Sequence, residues 1–135
     1  MIFLSLFSKS KSKVESYKNK LAIDEWPEHV VILNENNFDD FIQKYPLSLV
    51  DFWASWCAPC KAMAPRLRRL SKVYNGSVAF GKLDTQEYQS LAKKYKIMSI
   101  PNLLFFSYGK KLSSLNGLKS VGDIKDTIEG LLKKV

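Results

Sequence analysis

Leu47-Ser48-Leu49-Val50-Asp51-Phe52-Trp53-Ala54-Ser55-Trp56-Cys57-Ala58-Pro59-Cys60 decides how this chain is read. Ser48 to Ala54 is apolar on both faces, the pattern of a central strand covered by helices on either side. The run passes directly into C-x-x-C, and a helical pattern follows to about Tyr74. Cys57 and Cys60 are the only cysteines in the 135 residues. A strand that ends in such a pair and opens into a helix holds a dithiol or disulfide at a helix N-terminus. One thiol becomes reactive there and the second lies within reach to resolve it.

Other uses of the pair fit less well. A bridge across three residues closes a tiny loop and restrains little chain entropy, and stapled secreted scaffolds carry several bridges. The spacing therefore argues for an active pair in a compartment that keeps thiols reduced, and a cytoplasmic location is expected. Zinc wants four ligands where the pair supplies two, and the single histidine, His29, precedes the first strand. No metal is expected.

Outward from the pair, alternating patterns mark further elements. Val30 to Leu33 reads as a strand. Asn36, with an acid at Asp39, reads as the N-cap of a helix whose buried stripe is Phe38, Phe41 and Ile42 and which ends at Pro46. Asn75-Gly76 ends the helix after the cysteines, and Pro65 inside it predicts a kink. Ser77 to Leu83 is a strand, Tyr88, Leu91, Ala92 and Tyr95 mark a third helix, and Asn102 to Phe106 is a strand. Tyr108-Gly109-Lys110 is a hairpin turn before a returning strand, Lys111 to Asn116. Ser120 and Asp123 cap a last helix with an inner face of Val121, Ile124, Ile128, Leu131 and Leu132. The order β-α-β-α-β-α-β-β-α predicts an α/β fold, a central mixed sheet flanked by helices on both faces.

With 46% hydrophobic and 25% charged residues the composition is that of a soluble globular domain. No apolar run reaches the ~20 residues of a membrane helix, so stable membrane insertion is not expected. The net charge is +8. Residues 1–20 hold five lysines against Glu15 alone, a net +4 and half of the excess. Residues 1–26 therefore read as a basic N-terminal extension, disordered or with a short helix over 12–22, ahead of one domain at 27–135. No recognition motif accompanies the lysines, so nucleic-acid binding is not expected. Met1 to Phe7 lacks the length, the flanking charges and the cleavage site of a signal peptide.

The residues resemble the thioredoxin family over about 27 to 135. The resemblance rests on Val50 to Lys61, Pro65, Lys82-Leu83-Asp84, Tyr95-Lys96-Ile97-Met98-Ser99-Ile100-Pro101, Gly109 and Gly117. Two positions depart from the family pattern: Ala58 stands where glycine is usual and Asn102 where threonine is usual. Neither removes a reacting group. The resemblance implies the thioredoxin fold and a monomeric protein-disulfide reductase without a bound cofactor. Its partners would be proteins with disulfides and a flavin-dependent thioredoxin reductase that returns the electrons.

Cys57 is expected to be the nucleophile. Only the thiolate attacks, and a thiol of pKa ~8.5 is about 3% ionised at pH 7. Bringing that pKa to ~7 takes ~2 kcal/mol of anion stabilisation. A helix dipole alone gives ~0.3–1 kcal/mol, so first-turn N–H groups and the Cys60 thiol must contribute. Cys60 is expected to resolve the mixed disulfide, and a buried thiol needs a base to do so. Asp51 in an apolar strand is costly unless protonated or hydrogen-bonded. The resemblance makes it the proton acceptor for Cys60, with a raised pKa, and makes Lys82 its charge partner; the plainer alternatives are a strand-end acid and a surface lysine. The resemblance also implies a cis Pro101 facing the dithiol, and a docking surface of Trp56, Ala58, Pro59, Ile100, Pro101 and Gly117. Trp53 reads as core packing. Two alternatives remain open: an oxidase or isomerase, against which the uncharged Ala58-Pro59 dipeptide argues, and a non-enzymatic interaction module.

Overall fold

A computed structural model describes residues 26–135; the short helix expected over 12–22 lies outside the described residues. The elements in chain order are β1 (Val31–Ile32), α1 (Phe38–Lys44), β2 (Ser48–Trp53), α2 (Ala58–Val73), β3 (Ala79–Asp84), α3 (Gln89–Lys94), β4 (Asn102–Ser107), β5 (Lys110–Asn116) and α4 (Val121–Leu132). The strands form one sheet in the order β1-β3-β2-β4-β5. The β1–β3 and β2–β3 pairs are parallel, and β2–β4 and β4–β5 antiparallel.

Strand β2 is central and its side chains alternate between two cores. Leu49 faces a cluster with Met63, Leu67 and Leu70 of α2 and Ile124 and Ile128 of α4. Val50 and Phe52 face the opposite cluster, with Phe38, Phe41 and Ile42 of α1 and, at its margin, Tyr88, Leu91 and Tyr95 around α3. Both faces are thus covered by packed side chains, as an apolar strand without alternation requires. Asp51 has the parity of Leu49 and belongs to the α2 side.

Local chemistry moves several element ends from their expected places. The expected cap at Asn36 shifts to Asn37, whose side chain makes no capping bond to the helix. Asn34 and Asn37 instead hold the turn reciprocally: Asn34 Oδ1 accepts from the N–H groups of Asn36 and Asn37, and Asn37 Oδ1 accepts from Asn34 N at 2.7 Å. These asparagine-turn bonds use the oxygens that a cap would need. Strand β1 shrinks to two residues, although Leu33 N still donates to Lys82 O at 2.9 Å. Strand β3 begins at Ala79 because Ser77 and Val78 both donate to Tyr74 O, closing the end of α2. At α4, Ser120 accepts from Asp123 N at 3.0 Å, as the sequence predicts.

The hairpin turn has Tyr108 at φ 46° and Gly109 at φ 88°, the left-handed pair that suits two-residue hairpins. Trp26 packs on Tyr45 with ring centroids 5.1 Å apart and is buried in the core on the α1 side. Packing thus reaches a residue that the sequence division assigns to the extension. No helix among the described residues is long and apolar enough to cross a membrane.

Candidate active site

Strand β2 ends at Trp53, and Ala54-Ser55-Trp56 turn the chain into α2. Cys57 is the N-cap of α2 in an extended conformation (φ −92°, ψ 106°), tied back by its N–H to Ala54 O at 3.2 Å. Pro59 occupies the first turn, where its missing N–H costs nothing. The backbone N–H of Cys60 points at Cys57 Sγ, 3.2 Å away. Cys57 and Cys60 are joined as a disulfide with Cα atoms 5.2 Å apart. When the bond is reduced, the same N–H and the positive helix end favour a sulfur anion at Cys57.

Opposite the pair, the Ile100-Pro101 bond is cis, and Ile100 O lies 3.9 Å from Cys57 Sγ. Gly117 N donates to Pro101 O at 2.8 Å, which fixes that loop to the end of β5. Cys57 and Cys60 are buried, at 4% and 3% exposure, with Ala54; Trp53, expected in the core, is only partly buried and packs against them from its margin, as Ile100 does. Trp56 is 69% exposed. A groove of about 430 Å³ opens at Cys57 between Trp56, Ala58 and Pro59 on one side and Ile97, Met98, Ser99 and Ile100 on the other.

The predicted docking residues divide here. Trp56, Ala58, Pro59 and Ile100 line the groove. Pro101 is buried behind it, and Gly117 reaches the site only through its bond to Pro101. Sequence reasoning missed Met98, which is 93% exposed at the groove's rim. A large apolar residue in the short link between α3 and the proline was the available signal. Lys96, in the left-handed region at φ 55°, ends the turn after α3 just before it.

Asp51 is 3% exposed, and its Oδ1 has no hydrogen-bond partner among the described residues. It lines a cavity of about 270 Å³ with Ala64, Leu67, Arg68 and Ser71 of α2, Lys82 of β3 and His29 at the rim. Ala64 lies one helical turn after Cys60, so this cavity runs along the helix face that carries the second cysteine. No direct hydrogen bond joins Asp51 to Cys60. Burial pushes the Asp51 carboxyl up to about 7, against the opposing pull of the Lys82 ammonium. Among the described residues, no group of three or more His, Cys, Asp or Glu could hold a metal ion.

The comparisons with known proteins agree with this geometry. A family model described as Thioredoxin matches residues 29–130. The chain belongs to the thioredoxin family. It is 41% identical over 100 residues to a thioredoxin of Staphylococcus saprophyticus, covering 74% of this chain and 95% of that one. A chloroplastic M-type thioredoxin of Spinacia oleracea is 39% identical over 101 residues, covering 74% of this chain and 56% of that protein. Among solved structures, oxidised thioredoxin of Plasmodium falciparum superposes with a TM-score of 0.68 at 33% identity, covering 75% of this chain and 96% of that one. A mutant thioredoxin of Halobacterium salinarum gives 0.74 at 29% identity, over 78% and 93%. As a thioredoxin-family protein-disulfide oxidoreductase, the chain works by dithiol–disulfide exchange through Cys57 and Cys60.

Proposed function

We propose that the reduced protein passes two electrons to protein disulfides, with the steps divided among Cys57, Cys60 and Asp51. The Cys57 thiolate attacks one sulfur of the substrate disulfide, and the other sulfur leaves as a thiolate. Cys60 then gives its proton to Asp51, through water in the adjoining cavity, and attacks Cys57 Sγ. The second substrate sulfur leaves, and the Cys57–Cys60 disulfide remains. Lys82 sets how readily Asp51 ionises. Trp56, Ala58, Pro59 and Ile100 seat the chain that flanks the substrate cystine. Pro101 and Gly117 hold Ile100 in place.

The observation that carries this reading is the Cys60 N–H aimed at Cys57 Sγ, at the foot of a groove that no charged side chain lines. It supports Cys57, at the groove, as the attacking sulfur. A flavin-dependent thioredoxin reductase would restore the dithiol, and the protein would act as a monomeric cytoplasmic electron carrier with no cofactor of its own. Residues 1–26 would be an extension to a catalytic domain at 27–135.

Insulin reduction with dithiothreitol as electron source tests the assignment. Cys57→Ser should abolish the acceleration. Cys60→Ser should accumulate a mixed disulfide between Cys57 and the substrate, seen by mass spectrometry. A trapped species on Cys60 in the Cys57→Ser protein, with none on Cys57 in the other, would reverse the roles.

A further inference from the structure

A second groove, of about 380 Å³, adjoins the one at Cys57. Its walls are Lys94, Tyr95 and Lys96 from the end of α3, Asn102 and Leu104 of β4, and Lys111, Ser114 and Asn116 of β5. Met98 and Ser99 line both grooves, so the two are separated by one shared ridge. The first groove has no charged lining residue. The second has three lysines and no acid.

The sequence builds this lysine wall by a bulge. Phe105 pairs with Ser113 and Phe106 with Lys111, so Leu112 has no residue opposite it. The extra residue shifts the alternation of β5 by one. Lys111 is thereby brought to the face of Ser114 and Asn116, while Leu112 and Leu115 share the face packed on the α2–α4 core. Like charges gathered from two stretches of chain repel one another unless an anion lies between them.

We infer that this groove docks an acidic segment of the disulfide-bearing partner protein, beside the cystine held at Cys57. The inference rests on the disulfide-reductase reading above and names the class of substrate that it favours. A continuous chain lying across Cys57 and over Met98 enters the lysine wall directly. The shared ridge of Met98 and Ser99 favours a polypeptide over a free anion, because only a chain continuous with the cystine at Cys57 spans both grooves.

The test uses three cystine peptides that differ only in flanking residues: glutamates, glutamines or lysines. Reduction rates are measured with the full chain and dithiothreitol. The glutamate peptide should exceed the glutamine peptide in kcat/KM by about fivefold at low ionic strength, the sum of a few partly exposed charge pairs. The lysine peptide should fall below both. The ratio should approach one at about 0.5 M salt, where the Debye length is only a few ångströms. In a Lys94→Glu/Lys111→Glu protein the glutamate preference should vanish or invert, and in Lys125→Glu, a charge reversal on α4, it should persist. Each ratio is taken within one protein, so partial loss of folded material cancels. Equal rates for the three peptides in the unaltered chain, or a preference that survives the double reversal, would overturn the inference while leaving the reductase reading intact. Reduction of none of the peptides would sink that reading and the inference with it.

Discussion

Asp51 and Lys82 stand opposite one another across the parallel β2–β3 pair, yet no ion pair closes between them. The Lys82 ammonium lies over the Trp53 ring, 5.1 Å from its centroid, and Asp51 Oδ1 is left without a hydrogen-bond partner among the described residues. A carboxyl placed this way resists ionisation, because the cost of drying a charge is only partly offset by a cation engaged elsewhere.

Stability should therefore fall as pH rises. The Asp51 carboxyl is pushed up to about 7 from an ordinary 3.8, so between those values the folded chain holds a proton that the unfolded chain has lost. Its contribution is fully present below about 4, is lost as pH rises through about 7, and changes no further above that. The whole effect is at most about 4 kcal/mol. Asp51→Asn, of equal size and never charged, should stabilise the oxidised protein at pH 8 and much less at pH 4. Denaturant unfolding at the two pH values measures this; an equal difference at both would show that Asp51 is not held protonated by folding.

The same substitution should slow the chemistry while it steadies the fold. Removal of a positioned proton acceptor costs about a hundredfold or more where proton transfer limits the step. Asp51→Asn should leave the first attack by Cys57 nearly unchanged and prolong the life of the mixed disulfide. Rapid acid quenching, followed by mass analysis of the trapped adduct, separates the two steps. In the unaltered protein the resolving rate should rise with pH through about 7; in the variant this inflection should be missing. An adduct that decays at the same rate in both proteins would remove Asp51 from the mechanism.

Much of this arrangement was legible in the sequence because its physical causes are local. The double-sided apolar run before Cys57 announced β2, and a proline in the first turn announced a helix start at the pair. The cis state of Pro101 followed from resemblance alone, since nothing in Ser99-Ile100-Pro101 distinguishes it from a strand-entry proline. Other features depend on how distant segments meet. The Asn34–Asn37 exchange displaced the expected cap because the Asn37 oxygen that could cap the helix accepts from Asn34 N in the turn instead. Leu112 reads as one more strand residue until pairing with β4 shows it to be extra. Met98 reads as loop until α3 and Pro101 hold it out across the groove from Trp56.

Lys82 offers a separate test of the electrostatics. Its charge lowers the Asp51 pKa against the larger effect of burial, so Lys82→Met should raise that pKa further. Methionine keeps the apolar stem over Trp53 and removes only the charge. Carboxyl carbon chemical shifts of Asp51, followed against pH in the oxidised protein, report the change directly. The titration should move upward, and the pH at which the resolving rate inflects should move with it. A titration that stays put would mean that the ammonium over Trp53 is too well solvated to influence the carboxyl.

Gly81 ties the edge of the sheet to the core, and its replacement should be felt away from the sulfurs. A Cβ added at Gly81 would sit 2.7 Å from Leu33 Cδ1 and 3.1 Å from Phe41 Cε1, and both side chains are buried. Gly81 also pairs with Val31 of β1 and Val50 of β2, so the backbone has neighbours on both sides and cannot retreat freely. Gly81→Ala should destabilise by about 1–3 kcal/mol, the usual cost of overpacking a filled core. The nearest clash is with the far end of a leucine, so a shorter partner should relieve it. Leu33→Val alone should destabilise, but in the Gly81→Ala background it should cost less or even help. Denaturant unfolding of the two single variants and the double variant gives the coupling between the sites. Strict additivity would place the strain somewhere other than the Gly81–Leu33 contact.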